Sequence, residues 1–177
     1  NGSVAMGFKN TVSGEGSFAM GGDIDDVYDV PENGNVVSGK QSVAMGFNNT
    51  VEGDKSVAMG QWNYATGDYS IAMGKSSSAG HNYSVCMGHG LTSPGPNSFI
   101  CGRNNYRNHS SYSDESNVGN VLFAIGNGLS SENKSDIVYV TGNQFHCTGD
   151  IAAFSTSDSR LKTNLKNIEN PLDKIQK

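Results

Sequence analysis

Apolar residues along this chain fall into short alternating runs closed by glycine, and the runs recur. SVAMG occurs at Ser3–Gly7, Ser42–Gly46 and Ser56–Gly60, with the variants SFAMG at Ser17–Gly21, SIAMG at Ser70–Gly74, SVCMG at Ser84–Gly88 and SFICG at Ser98–Gly102. Their first residues lie 14, 25, 14, 14, 14 and 14 apart, a period of 14 with one insertion of 11. Five residues after the closing glycine stands a second small or β-branched position, Val12, Val51, Ala65 and Ala79, often with Gly14, Gly53 or Gly67 two later; Val37 and Gly39 close the interrupted unit. Each period reads as strand, turn, short strand, turn. A fixed period of this length signals a solenoid, in which each coil pairs with the next. Seven coils at roughly 4.8 Å per rung predict a rod on the order of 30 Å long.

Side chains alternate across a strand, so Val4 and Met6 point one way and Ser3, Ala5 and Gly7 the other. Neither side is charged, and a strand with no solvated face is normally covered on both. The Ala and Gly side is expected to line the coil interior, with the Val and Met side packed on another copy of the chain, although the two faces are interchangeable on pattern alone. A coil this thin buries too little apolar surface to stand alone, which makes self-association, most simply a parallel homotrimer, part of the fold. Over residues 1–102 the units resemble the head repeats of trimeric autotransporter adhesins, a type of repeat that also occurs in viral fibre proteins. The resemblance implies an all-β, left-handed parallel β-roll that trimerises.

Two polar stretches interrupt the pattern. The insertion loop, residues 22–35, carries Asp23, Asp25, Asp26, Asp29 and Glu32. Such a cluster suits either a calcium ion, which favours several oxygen ligands, or a solvated side loop; the spacing lacks the calcium-hand pattern. Residues 103–120 set Tyr106 and Tyr112 among Asn and Ser, a mixture suited to carbohydrate contact or to a plain loop. Beyond it, Val121–Gly128, Asp136–Gly142 and Gln144–Phe154 predict strands of a β-rich neck over residues 121–154.

Composition shifts at residues 155–177, where STSDSRLKTNLKNIENPLDKIQK follows Phe154 at the end of the neck. This string resembles the start of the intramolecular chaperone domain at the end of phage tail spikes and tail fibres, typified by endosialidases. Ser157, Asp158, Arg160 and Lys162 match its opening pattern, with Asn164, Leu165, Ile168 and the Pro171–Ile175 helix start following. The resemblance implies one-time self-cleavage, with Ser157 as nucleophile at its own bond to Asp158 and Lys162 as general base, supported by Asp158 and Arg160. A lysine serves as a base only where desolvation lowers its pKa. Only 20 residues follow Ser157, too few for the pocket such a domain supplies, so no enzymatic turnover is expected of this chain. A C-terminal trimeric nucleator would hold slow, long-range pairing in register, and its removal would leave the rod kinetically trapped.

Composition sharpens this picture. Leu, Ile, Val and Phe supply 35 of 177 residues, against 23 Gly, 23 Ser and 20 Asn. Without the repeat, those figures lie near the boundary of disorder. A net charge of −5 with no basic stripe in the sequence argues against nucleic acid as a partner. No run approaches the roughly 18 apolar residues of a membrane span. The chain opens at Asn1 without Met, as a piece of a longer polypeptide would.

Cys86 replaces the repeat's Ala and Cys101 its Met, so both are expected as buried small hydrophobes. Cys147 beside His146 lacks the further ligands of a zinc site. His81, His89 and His109 lie in turns without a partner evident in sequence, and Asn48, Asn82, Asn108 and Asn133 begin glycosylation-type tripeptides of the kind this composition yields by chance. Neither a metal nor a cofactor is expected.

The resulting expectation is a structural, receptor-binding part of a trimeric virus or phage fibre, with a host-surface receptor such as a glycan and other virion proteins as partners. The alternative is a bacterial trimeric surface adhesin. A carbohydrate-cleaving spike would need paired carboxylates in a cleft, and the only cluster lies on one loop.

Overall fold

The computed structural model describes residues 2–22, 34–105, 121–142 and 144–148. In chain order the strands are β1 (Val4–Gly7), β2 (Thr11–Val12), β3 (Phe18–Gly21), β4 (Val36–Val37), β5 (Val43–Phe47), β6 (Thr50–Val51), β7 (Val57–Gln61) and β8 (Tyr64–Ala65). They continue as β9 (Ile71–Lys75), β10 (Ser78–Ala79), β11 (Val85–His89), β12 (Phe99–Arg103), β13 (Val121–Asn127), β14 (Asp136–Thr141) and β15 (Phe145–Cys147), with no helix among the described residues.

These strands form two stacks. A 10-stranded sheet has the order β1-β3-β5-β7-β9-β11-β12-β13-β14-β15, and a 5-stranded sheet the order β10-β8-β6-β4-β2. Pairing is parallel in the short stack and from β1 through β13 in the long one, always one repeat out of step, so Met45 faces Met59 and Met59 faces Met73. The chain is therefore a β-solenoid. A bridge between Ser78 and Thr92 extends the short stack by one rung, giving about six coils closed on both sides. Seven were expected; the second half of the last falls in residues 106–120, outside the described set. The insertion does not break the ladder. Phe18 pairs with Val43, 25 positions on, in the same register that joins the regular coils.

The interior is narrow and filled with small groups. Ala19, Ala44, Ala58, Ala72 and Cys86 of the long stack face Val37, Val51, Ala65 and Ala79 of the short one, all fully buried, and the buried Leu91 fills the corner slot held in earlier coils by Asn49, Asn63 and Ser77. The serines preceding the long strands from β3 to β12, Ser17, Ser42, Ser56, Ser70, Ser84 and Ser98, are buried too. Glycine is not in the interior with them, as alternation had suggested. Gly46, Gly60 and Gly74 are exposed and have φ of +115°, +116° and +113°, a region that L side chains avoid. There the chain swings out of the strand toward the first corner, and a Cβ on Gly60 would lie 2.1 Å from the Gly74 carbonyl oxygen of the next coil.

Where both corners are described, a coil turns at two left-handed residues. One stands two after the glycine, as at Asn48, Trp62 and Ser76, and the other just before the serine, as at Lys55, Tyr69 and Tyr83. Inside the corners, buried polar side chains satisfy the backbone. The amide of Asn49 donates to the Asn35 side-chain oxygen at 2.9 Å, to the Met45 carbonyl at 3.1 Å and to the Gly60 carbonyl at 2.9 Å. Its own oxygen accepts from the backbone N–H and the side-chain amide of Asn63, both at 3.1 Å. At the other corner the Ser42 hydroxyl donates to the Gly53 carbonyl at 2.8 Å and accepts from the Ser56 N–H at 3.1 Å, and Ser56 repeats this with Gly67 and Ser70.

The regularity loosens past Ala79. The second position after it is no longer glycine: Gly80 comes one early and His81 stands in the slot. Ser84 takes the His81 carbonyl at 2.6 Å, and the buried Ser70 hydroxyl has no hydrogen-bond partner.

The strand-rich stretch after residue 120 begins as a further rung of the same sheet. Phe123, Ala124, Ile125 and Gly126 pair in parallel with Phe99, Ile100, Cys101 and Gly102, so the repeat string extends to Gly126 with Ile in the Met slot. β14 and β15 then add antiparallel and end the sheet.

Candidate functional site

The outer face of the long stack is the most extensive candidate surface. Alternation sends Val43, Met45, Val57 and Met59 outward while Ala44 and Ala58 point in, so the Val and Met columns are half-buried at best in the single chain. Met6, Met20 and Met87 are 53%, 38% and 41% exposed. Identical apolar residues stacked in register make a continuous stripe, the kind of surface that marks association with another protein.

The corner beside this stripe carries charge. In the column one residue after the glycine, Gln61, Lys75, His89 and Arg103 pair on successive strands, and Lys75, His89 and Arg103 are exposed. Trp62 stands next to Gln61 at a φ of +54°, with the Lys75 Nζ 5.4 Å from its ring centroid and Phe47 at 5.9 Å. Where the rod meets the neck, a cleft of about 550 Å³ is lined by Ser76, His89, Asn104, Ser130 and Lys134, with Leu129 on its wall. Arg103 Nε donates to the Gly128 carbonyl at 2.9 Å, tying the neck turn to the column.

The opposite corner carries tyrosines. Tyr69 and Tyr83 stack with centroids 5.1 Å apart, and the Lys55 ammonium lies 4.9 Å above Tyr69. It donates to the Tyr69 hydroxyl at 2.8 Å, an interaction that favours the charged form and raises the Lys55 pKa.

Of the residues singled out by sequence, Cys86 is buried, and loss of hydration pushes its thiol up to about 12. Cys101 is only partly buried, contrary to expectation, because the Met slot it fills faces outward; desolvation still raises its pKa. His81 Nδ1 lies 3.2 Å from the Ser93 hydroxyl, whereas His89 is exposed and borders the cleft. His146 stacks on Tyr139 at 4.2 Å between centroids, beside the partly buried Cys147. Among the described residues, no group of three His, Cys, Asp or Glu side chains is placed to hold a metal. The insertion-loop carboxylates, Tyr106, Tyr112, His109 and the set Ser157, Asp158, Arg160 and Lys162 lie outside the described residues. Sequence reasoning missed the corner column, although Lys75, His89 and Arg103 follow three successive repeat glycines directly.

A rod of in-register coils with an apolar stripe and decorated corners defines the chain as a fibrous β-solenoid. Residues 1–23, 38–61 and 65–90 match the family model for the YadA head domain repeat. The coils are therefore similar in sequence to adhesin head repeats. No curated protein and no solved structure matches the chain.

Proposed function

We propose that this chain is a length of a trimeric, adhesin-like fibre exposed at a surface, where the solenoid acts as a stiff display rod. The observation that carries this reading is the unbroken outer register of Val and Met over the coils that match head repeats. Three such stripes brought together along a common axis would bury side chains that a single chain leaves half wet. Sedimentation equilibrium of the purified chain tests it: three times the 18.7 kDa chain mass is expected, and a monodisperse monomer overturns it.

Matched head repeats favour a bacterial cell surface over a virion, reversing the order expected from the sequence. The second reading, a virus or phage fibre matured by self-cleavage, rests on the Ser157, Asp158, Arg160 and Lys162 string. Under it, a chain extended through a complete chaperone domain would yield a product ending at Ser157, and Ser157→Ala would remain uncut. Equal masses by mass spectrometry would reject cleavage. Under either reading the partner is a host-surface receptor.

A further inference from the structure

We propose that the corner column Lys75, His89 and Arg103, with Lys134 across the adjoining cleft, is a binding strip for an anionic polysaccharide, carboxylated or sulfated. The column puts one basic side chain on each of three consecutive rungs, about 4.8 Å apart. Lys75 and Arg103 stand two rungs apart with the His89 imidazole between them, and no Asp or Glu occupies the column's paired positions, from Phe47 through Gln61 to Asn127, to balance their charge. This happens in a chain of net charge −5 with only 12 Lys and Arg to distribute. A ligand that supplies negative charge along the column balances it.

The rung spacing is close to the advance of a sugar chain per pyranose ring, so successive anionic sugars would meet successive basic residues. The neighbouring groups suit a sugar as well. Trp62, 38% exposed, offers part of an aromatic face to the apolar side of a pyranose. Ser76 and Ser130 line the cleft beside His89 and offer hydroxyl groups to the ligand's own. Charge complementarity of this kind acts mainly through steering and specificity, and it weakens with salt.

The inference names a ligand class for the adhesin-type reading and rests on it. Binding of the full chain is measured to immobilised heparin, polysialic acid, neutral dextran and duplex DNA. Retention on heparin or polysialic acid above dextran, lost as salt rises, is expected, and the two arms separate the sulfated from the carboxylated source. Lys75→Glu combined with His89→Glu should weaken that binding by about ten-fold or more, while Lys55→Glu at the opposite corner changes it by less than about two-fold. If circular dichroism shows the double variant misfolded, Lys75→Gln alone should weaken binding about three-fold. No retention above dextran, no effect of the Lys75 variants, or equal retention on DNA overturns the proposal. Sedimentation on the same samples keeps the outcomes apart, since a trimer that ignores both polysaccharides loses the ligand and keeps the fibre.

Discussion

The two sides of one strand obey different rules. In β5 and β7 the inward Ala44 and Ala58 are fully buried, and the polar groups beside them are paired within the chain through the Asn35, Asn49 and Asn63 ladder. The outward Val43, Met45, Val57 and Met59 are covered only partly. The inner side is completed by the next coil, so its stability is built from each coil's own contacts and its stacking on its neighbours. The outer side is completed only by something beyond the chain. A repeat protein of this kind thus separates what holds a coil to its neighbour from what holds the rod to its surroundings.

The sharpest way to break the inner side is Gly60→Val. The backbone strain and the clash with the Gly74 carbonyl should cost at least about 3 kcal/mol, seen as lost β-sheet dichroism or an early denaturant midpoint. Asn49→Leu should follow at roughly 2–4 kcal/mol, since it strips partners from the Met45 and Gly60 carbonyls and the Asn63 N–H together. Met45→Ser with Met59→Ser sharpens the contrast. It should shift sedimentation from trimer toward monomer before the dichroism of the coils falls, with a loss of roughly 1–3 kcal/mol per side chain if each is buried in the assembly. Retained mass would place the interface elsewhere.

The smallest effect belongs to Cys86→Ala, which restores the repeat residue and should stay within about 1 kcal/mol at neutral pH. Its signature is in pH. The folded thiol keeps its proton up to about 12 while the unfolded one loses it near 9.0, so rising pH favours unfolding between those values. Stability of the wild type should therefore fall more than that of Cys86→Ala between pH 8 and pH 11, measured by parallel denaturant titrations.

Much of this was legible because the repeat writes its register directly. SVAMG fixed which residues pair, and alternation put Ala and Met on opposite faces without deciding which face turned inward. The glycine was misplaced because alternation assumes an extended backbone, and φ near +115° at Gly46 and Gly60 ends that assumption. The second corner was hidden because Lys55, Tyr69 and Tyr83 hold left-handed conformations that sequence assigns to Gly or Asn. The rung at Phe123–Gly126 was hidden by Ile125 standing for Met after a longer gap. The asparagine ladder was written in the period, since Asn35, Asn49 and Asn63 stand 14 apart and Asn48 has no such counterpart, but recurrence alone does not show burial. Ser157 and Lys162 are carried by sequence pattern alone.

The equal spacing of Met45, Met59 and Met73 has one more consequence. Joining Ser56 directly to Ile71 would excise one block and leave β5 facing β9, with each old neighbour replaced by its counterpart one repeat on, Met59 by Met73 and Val57 by Ile71. Reach can thus be lengthened or shortened by whole-unit gain or loss in the gene, a measuring tape whose graduations are interchangeable.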